Sequence, residues 1–228
     1  MDFKKGAVHA LPICIGYVPL AIAYGVLAKS AGMSNAVIVL MSVLVYAGAA
    51  QFLSINLFAS GVLPAEIVLT TFIVNSRHIV MSTSLTRKLS DQISKFARAV
   101  LAFGVTDESF SVSSFQANGK KLTTSYLFGV MILPYLFWVT GSVIGIYFAD
   151  VLPKTLESSM GIALYAMFTA LLVPEASKSK KIALLVLFTG ILHMLLQAIL
   201  TINSGWTMVL TALIGAMAGG FLIGEEEL

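Results

Sequence analysis

The stretch Ala36–Ser60 reads AVIVLMSVLVYAGAAQFLSINLFAS and carries no charge. Spanning the hydrocarbon of a bilayer takes roughly 20 apolar residues in a helix, so its length fits a transmembrane pass. Its middle does not fit a lipid-facing helix, because Tyr46-Ala-Gly-Ala-Ala-Gln51 replaces branched side chains with small ones and an amide. Small residues let a second backbone approach closely, and an amide in hydrocarbon needs a hydrogen-bonding partner. Two readings follow: a packing seam between helices, or an opening at mid-membrane lined by Tyr46, Gly48 and Gln51.

The same character extends over the whole chain. Of 228 residues, 58% are hydrophobic and 11% charged, where an average soluble domain carries about 25% charged residues. This is an all-α integral membrane protein, read as a single polytopic domain over residues 1–228. The net charge of +3 is small and its basic residues are scattered, which argues against nucleic acid as a partner. Cys14 is the only cysteine, so neither an internal disulfide nor a thiolate metal cluster is available. Met1-Asp-Phe-Lys-Lys5 resembles the charged start of a signal peptide. The apolar run behind it is too long and lacks a small-residue cleavage site, so it is expected to stay as a helix.

Charge-free windows and breakers predict about seven transmembrane helices, at 6–28, 36–60, 65–85, 122–149, 158–174, 182–201 and 206–224. Proline removes a backbone donor and kinks a helix, so Pro12 and Pro19 are expected to break the first span and Pro134 the fourth. Turn-like links fall at Gly32–Asn35, Gly61–Pro64, Asp150–Pro153 and Asn203–Gly205. Residues 86–121 differ in kind. There Arg87, Lys88, Lys95, Arg98, Lys120 and Lys121 surround a weaker apolar stretch, Phe96–Phe115, containing Asp107 and Glu108. This segment reads as amphipathic, either cytoplasmic at the interface or re-entrant. Seven spans with an outside N-terminus leave only Lys4, Lys5 and Lys154 outside, which the preference for basic residues inside favours over eight spans. The Glu225–Glu227 tail then lies inside.

An odd number of spans per half makes any internal repeat inverted. A 3+3 plan pairs Pro12 with Pro134, Tyr46-Ala-Gly-Ala with Tyr165-Ala-Met-Phe, and His78 with His193. Inverted repeats with broken helices are a common transporter plan that places the substrate at mid-membrane.

Val74-Asn-Ser-Arg-His78 puts Arg77 near the centre of the third window. A central arginine costs about 2.5–3.5 kcal/mol on insertion scales, so it must face protein or water and find an acceptor. It is a tether between helices, a fixed cation for a substrate carboxylate, or the partner of Asp107 or Glu108. Asn75 and His78, three apart, share a helix face and join the candidate binding set. Asp107 and Glu108 are either a solvated face or carboxylates dipping into the pathway to carry protons. His193, one face with Gln197, is a further proton-coupling candidate. Phosphate-loop and zinc-protease patterns are absent, so no cofactor, metal or catalysis is expected.

In order and spacing, Tyr46-Ala-Gly-Ala-Ala-Gln-Phe52, Val74–His78 and Thr106-Asp-Glu-Ser-Phe110 resemble the AzlC-type branched-chain amino acid permeases. The likeness continues through Leu133-Pro-Tyr-Leu-Phe-Trp138 and Gly161 to Pro174. The resemblance implies export of branched-chain amino acids and their analogues, with a much smaller AzlD-type membrane subunit as partner. Joined to the residues, it gives a proton-coupled secondary transporter in the cytoplasmic membrane. Tyr46, Gly48, Gln51, Asn75, Arg77 and His78 are its substrate-binding candidates, and Asp107, Glu108 and His193 its proton-coupling candidates. The alternatives are a membrane-embedded enzyme using His78, His193 and the carboxylates, or a non-transporting assembly subunit.

Overall fold

The computed structural model describes residues 2–90, 93–117, 121–153, 159–160, 162–200 and 204–222. Lys120, Lys154, Gly161, Asn203 and the Glu225–Glu227 tail lie outside them. In chain order the helices are α1 (Phe3–Ser30), α2 (Asn35–Leu44), α3 (Gly48–Ala59), α4 (Pro64–Asn75), α5 (Arg77–Arg87), α6 (Lys95–Phe103), α7 (Asp107–Ala117), α8 (Thr124–Ala149), α9 (Ile162–Lys178), α10 (Lys180–Ile199) and α11 (Ser204–Leu222). Polar caps fix several starts: Asp2, Ser34, Ser94, Thr123 and Ser179 each accept an amide from the first turn. Among the described residues α1, α8 and α10 are each long and apolar enough to cross a membrane.

Glycine decides how α1 meets α8. A Cβ on Gly6 or Gly25 would overlap the backbone of α8 at Tyr126 and Ser142, and one on Gly129 or Gly145 would overlap α1 at Phe3 and Ile22. The early residues of one helix meet the early residues of the other, so the two run parallel with their backbones in contact. An inverted pairing of the first and fourth spans requires antiparallel helices, so that pairing is corrected. Both helices also run unbroken through Pro12, Pro19 and Pro134. Each proline forfeits one bond of a long helix, and the partner backbone alongside holds the axis.

The second predicted span is not a span. Gln51 Nε2 donates to Ser42 Oγ at 3.1 Å, and Ser54 Oγ lies 3.9 Å from Met41 Sδ. A continuing helix would hold Met41 and Ser54 about 20 Å apart at 1.5 Å per residue. The chain therefore turns back at residues 45–47, and α2–α3 is an antiparallel hairpin. Its arms of 10 and 12 residues reach about half of a hydrocarbon core roughly 30 Å thick. Its tip, Tyr46, packs on Tyr17 from the middle of α1 and Tyr135 from the middle of α8.

A second hairpin comes from the opposite end. α6 leads up to Phe103, which meets Tyr46 and Tyr135 with ring centroids 6.1 and 5.8 Å apart. α7 returns to Ala117, which clusters with Leu85, Leu89 and Leu122. The base is closed by a short bridge: Leu122 N–H donates to Lys88 C=O at 2.8 Å, and Ser90 N–H to Leu122 C=O at 3.2 Å. Between the hairpins, α4 and α5 make one pass interrupted at Ser76. The order of a helix followed by a half-depth hairpin thus occurs twice in opposite sense, in α1 with α2–α3 and in α4–α5 with α6–α7.

Gly25→Ala and Gly145→Ala are expected to abolish monodisperse, detergent-extracted protein, because the added methyl meets backbone. Gly16→Ala, where nothing lies within 4 Å, serves as the tolerated control, read by fluorescence-detected size exclusion.

Candidate functional site

The two tips, the Ser76 break and the middles of α1 and α8 converge on one pocket. Its walls are Tyr17 and Leu20 from α1, Tyr46–Ala49 and Phe52 from the first hairpin, Arg77 and His78, Thr106–Glu108, and Trp138 from α8. The free space is about 30 Å³, room for about one water. Three helix N-termini open on it, those of α3, α5 and α7, each the positive end of a backbone dipole. Such ends are ready anion sites when left uncapped, and no side chain caps α3 or α5.

The α7 end is capped and acidic. Thr106 Oγ1 accepts from Ser109 N–H at 3.2 Å while Ser109 Oγ accepts from Thr106 N–H at 2.8 Å, a reciprocal capping arrangement. This fixes Asp107 and Glu108 in the first turn, where negative charge complements the dipole. Asp107 Oδ2 receives Arg77 Nη1 at 3.0 Å. Tyr17 donates its hydroxyl proton to Glu108 Oε2 at 2.6 Å and also lies 2.9 Å from Thr106 Oγ1. With one proton to give, Tyr17 leaves Thr106 to donate to it.

Arg77 thus has an internal carboxylate as partner, yet the two side chains keep relative exposures of 38% and 33%. Pairs this open contribute on the order of 1 kcal/mol or less. Among the described residues, Arg77 Nε, Asn75 Oδ1 and the Tyr46 hydroxyl are buried polar atoms without a partner. Tyr46 also holds φ at +45°, a left-handed conformation costing a non-glycine residue roughly 1–2 kcal/mol.

Known proteins bear on what such a pocket serves. The family model described as AzlC protein matches residues 12–152, a span that includes both hairpins and every wall of the pocket. The chain belongs to the AzlC protein family. An "uncharacterized membrane protein" of Archaeoglobus fulgidus is 33% identical, covering 76% of this chain and 75% of that one. The "inner membrane protein YgaZ" of Escherichia coli is 29% identical over 83% and 80% of the two chains. The "branched-chain amino acid transport protein AzlC" of Bacillus subtilis is 29% identical over 78% and 70%. No solved structure matches the chain.

Within this AzlC-family chain the pocket gathers Tyr46, Gly48, Arg77, His78, Asp107 and Glu108. Gln51 stands behind it instead of lining it. Its amide is fully buried, with Trp138 Nε1 donating to Oε1 at 3.0 Å and Nε2 donating to Ser42, which in turn donates to Ser142 at 2.8 Å. Asn75 ends α4 and His78 belongs to α5, with Ser76 between the two helices in helical dihedrals. His193 is elsewhere, 3.2 Å from Thr211 in a groove between α10 and α11. Sequence reasoning missed Tyr17, Thr106 and Trp138. The last two lay within motifs already singled out, whereas Tyr17 is a phenol in an apolar helix with no local mark.

Asp107→Asn and Arg77→Gln are each expected to lower the thermal midpoint of purified protein by leaving one charge unpaired. The double variant should recover part of that loss, a coupling on the order of 1 kcal/mol. Strict additivity in a double-mutant cycle would show that the pair has no internal role.

Proposed function

We propose that this protein is a secondary transporter that exports branched-chain amino acids and their analogues across the cytoplasmic membrane, coupled to protons. The observation that carries this reading is the mid-depth pocket between two opposed hairpin tips. Uncapped helix ends, carboxylates and apolar walls meet there. Broken helices at mid-membrane with their ends turned to the substrate are a known transporter plan. The printed name of the Bacillus relative supplies the substrate class, and that of the Escherichia relative supports an inner membrane. Tyr46, Gly48, Arg77 and His78 touch substrate in this reading, Gln51 and Asn75 support the tips, and Asp107 and Glu108 are nearer the pathway than His193 for moving a proton. With space for about one water, the pocket is in a closed state. Substrate enters when a tip moves aside. A small AzlD-type subunit is the proposed partner.

The hairpins also revise the proposed topology. If neither hairpin crosses, and α9, α10 and α11 alternate, the chain makes six passes and both ends lie on one face. Among the described residues, every lysine and arginine except Lys29 and Arg77 then falls at the N-terminal face. Basic residues mark the cytoplasm, so this reading puts the N-terminus inside, reversing the seven-span orientation. Reporters fused to the N-terminus and after α11 are expected to be cytoplasmic together. Reporters on opposite faces would restore an odd number of passes.

Vesicles holding the protein and its small partner are expected to release labelled leucine faster than empty vesicles, and a protonophore should slow the release. Unchanged leucine retained in both would sink the transport reading. Chemically altered leucine would favour the enzyme, and equal flux through the partner alone would favour an assembly subunit.

A further inference from the structure

The charges around the pocket do not balance. Asp107 is matched by Arg77, whereas Glu108 has the hydroxyl of Tyr17 and the start of its own helix, and no cationic side chain among the described residues. Its second oxygen, Oε1, has no hydrogen-bond partner among the described residues. A carboxylate beside apolar walls is completed by a proton or by a cation set against it, and a ligand ammonium supplies the second. Across the same small space lies the start of α3. The amides of Gly48 and Ala49 precede its first helical bond, from Gln51 N–H to Ala47 C=O at 2.9 Å, and no side chain caps them. Tyr46 lines the same pocket. The residue is only 3% exposed, and its hydroxyl has no hydrogen-bond partner among the described residues. A buried polar atom left unmatched is rare enough in folded proteins to require a reason, and a ligand polar group at this spot supplies one.

We infer that the pocket binds α-amino acids as zwitterions in one fixed polarity, the α-carboxylate on the exposed amides that begin α3 and the α-ammonium on Glu108. This inference rests on the transport reading and names the polarity of its site. The Tyr46 hydroxyl bridges the two poles, and the substrate side chain lies among Leu20, Phe52 and Trp138. Glu108 then serves as the ammonium acceptor, positioned by Tyr17, and is occupied whenever substrate is bound. Both charged groups of the substrate are read at once, so a molecule lacking either leaves a buried pole unmatched.

The test measures binding to the full chain in lipid nanodiscs by calorimetry, using leucine, 4-methylpentanoate (no amine) and 3-methylbutylamine (no carboxylate). Each truncated analogue is expected to bind at least about tenfold more weakly than leucine, as losing a hydrogen bond to a charged group implies. Glu108→Gln should weaken leucine by a similar factor and leave 4-methylpentanoate unchanged. Ala49→Pro removes one amide of the first turn, where proline is tolerated. It should weaken leucine and leave 3-methylbutylamine unchanged. Should either variant fail to fold, the three ligands on the unaltered protein still decide. Either analogue binding as tightly as leucine overturns the inference, as does the opposite pairing of variants with analogues. Leucine failing while a straight-chain amino acid binds with the same analogue pattern keeps the polarity and removes only the branched-chain assignment. No binding of any zwitterion overturns it.

Discussion

Backbone contact between α1 and α8 is the constraint on which the rest depends. Helix packing inside a bilayer has no water to expel, so it relies on close van der Waals approach and on small residues that permit it. Gly6, Gly25, Gly129 and Gly145 remove the side chains that would hold the helices apart. The resulting parallel pair is a rigid two-helix post with its aromatic middle, Tyr17, Tyr24, Tyr135 and Trp138, facing sideways. Both hairpins end against that middle. Without a fixed post, two half-depth hairpins would have nothing to define the level at which their tips meet, and the pocket would have no constant geometry.

How much of this was legible in the sequence follows from what local composition can register. An apolar run reports that a segment lies in hydrocarbon, and the runs were found. It does not report direction: a hairpin that reaches halfway and returns has the same length and polarity as a helix that crosses. Ala36–Ser60 is therefore recognisable as unusual at Tyr46–Gln51, and the small residues there do mark a structural feature. They are the bend and the helix start that follows it, not a seam within one helix. The prolines misled for the complementary reason. Proline removes one bond whatever surrounds it, but whether the axis breaks depends on the neighbouring helix. For α1 and α8 that neighbour is the other's backbone.

The polar residues show the same division. Arg77 was conspicuous because a charge in an apolar window is expensive wherever it points, and the structure pairs it with Asp107. Gln51 was equally conspicuous, yet its partners Ser42, Ser142 and Trp138 make it a brace for the first hairpin. Tyr17 reaches Glu108, 91 residues away. A contact over that separation is a property of the fold, and a single tyrosine in an apolar helix carries no trace of it.

The bridge between Leu89 and Leu122 has a mechanical consequence. It ties together the two strands of chain that enter and leave the α6–α7 hairpin, as the ring of a hinge holds both leaves. The tip of that hairpin is latched separately, Asp107 on Arg77 of α5 and Thr106 and Glu108 on Tyr17 of α1. The first hairpin is fastened along its length instead. Ser42, Val43 and Gln51 are each bonded to α8 partway up its arms, so it stands like a bolted jamb. A leaf clasped at its root and latched at its edge differs from a frame bolted throughout: two side-chain latches, on Arg77 and Tyr17, hold the one, and bonds partway along both arms hold the other.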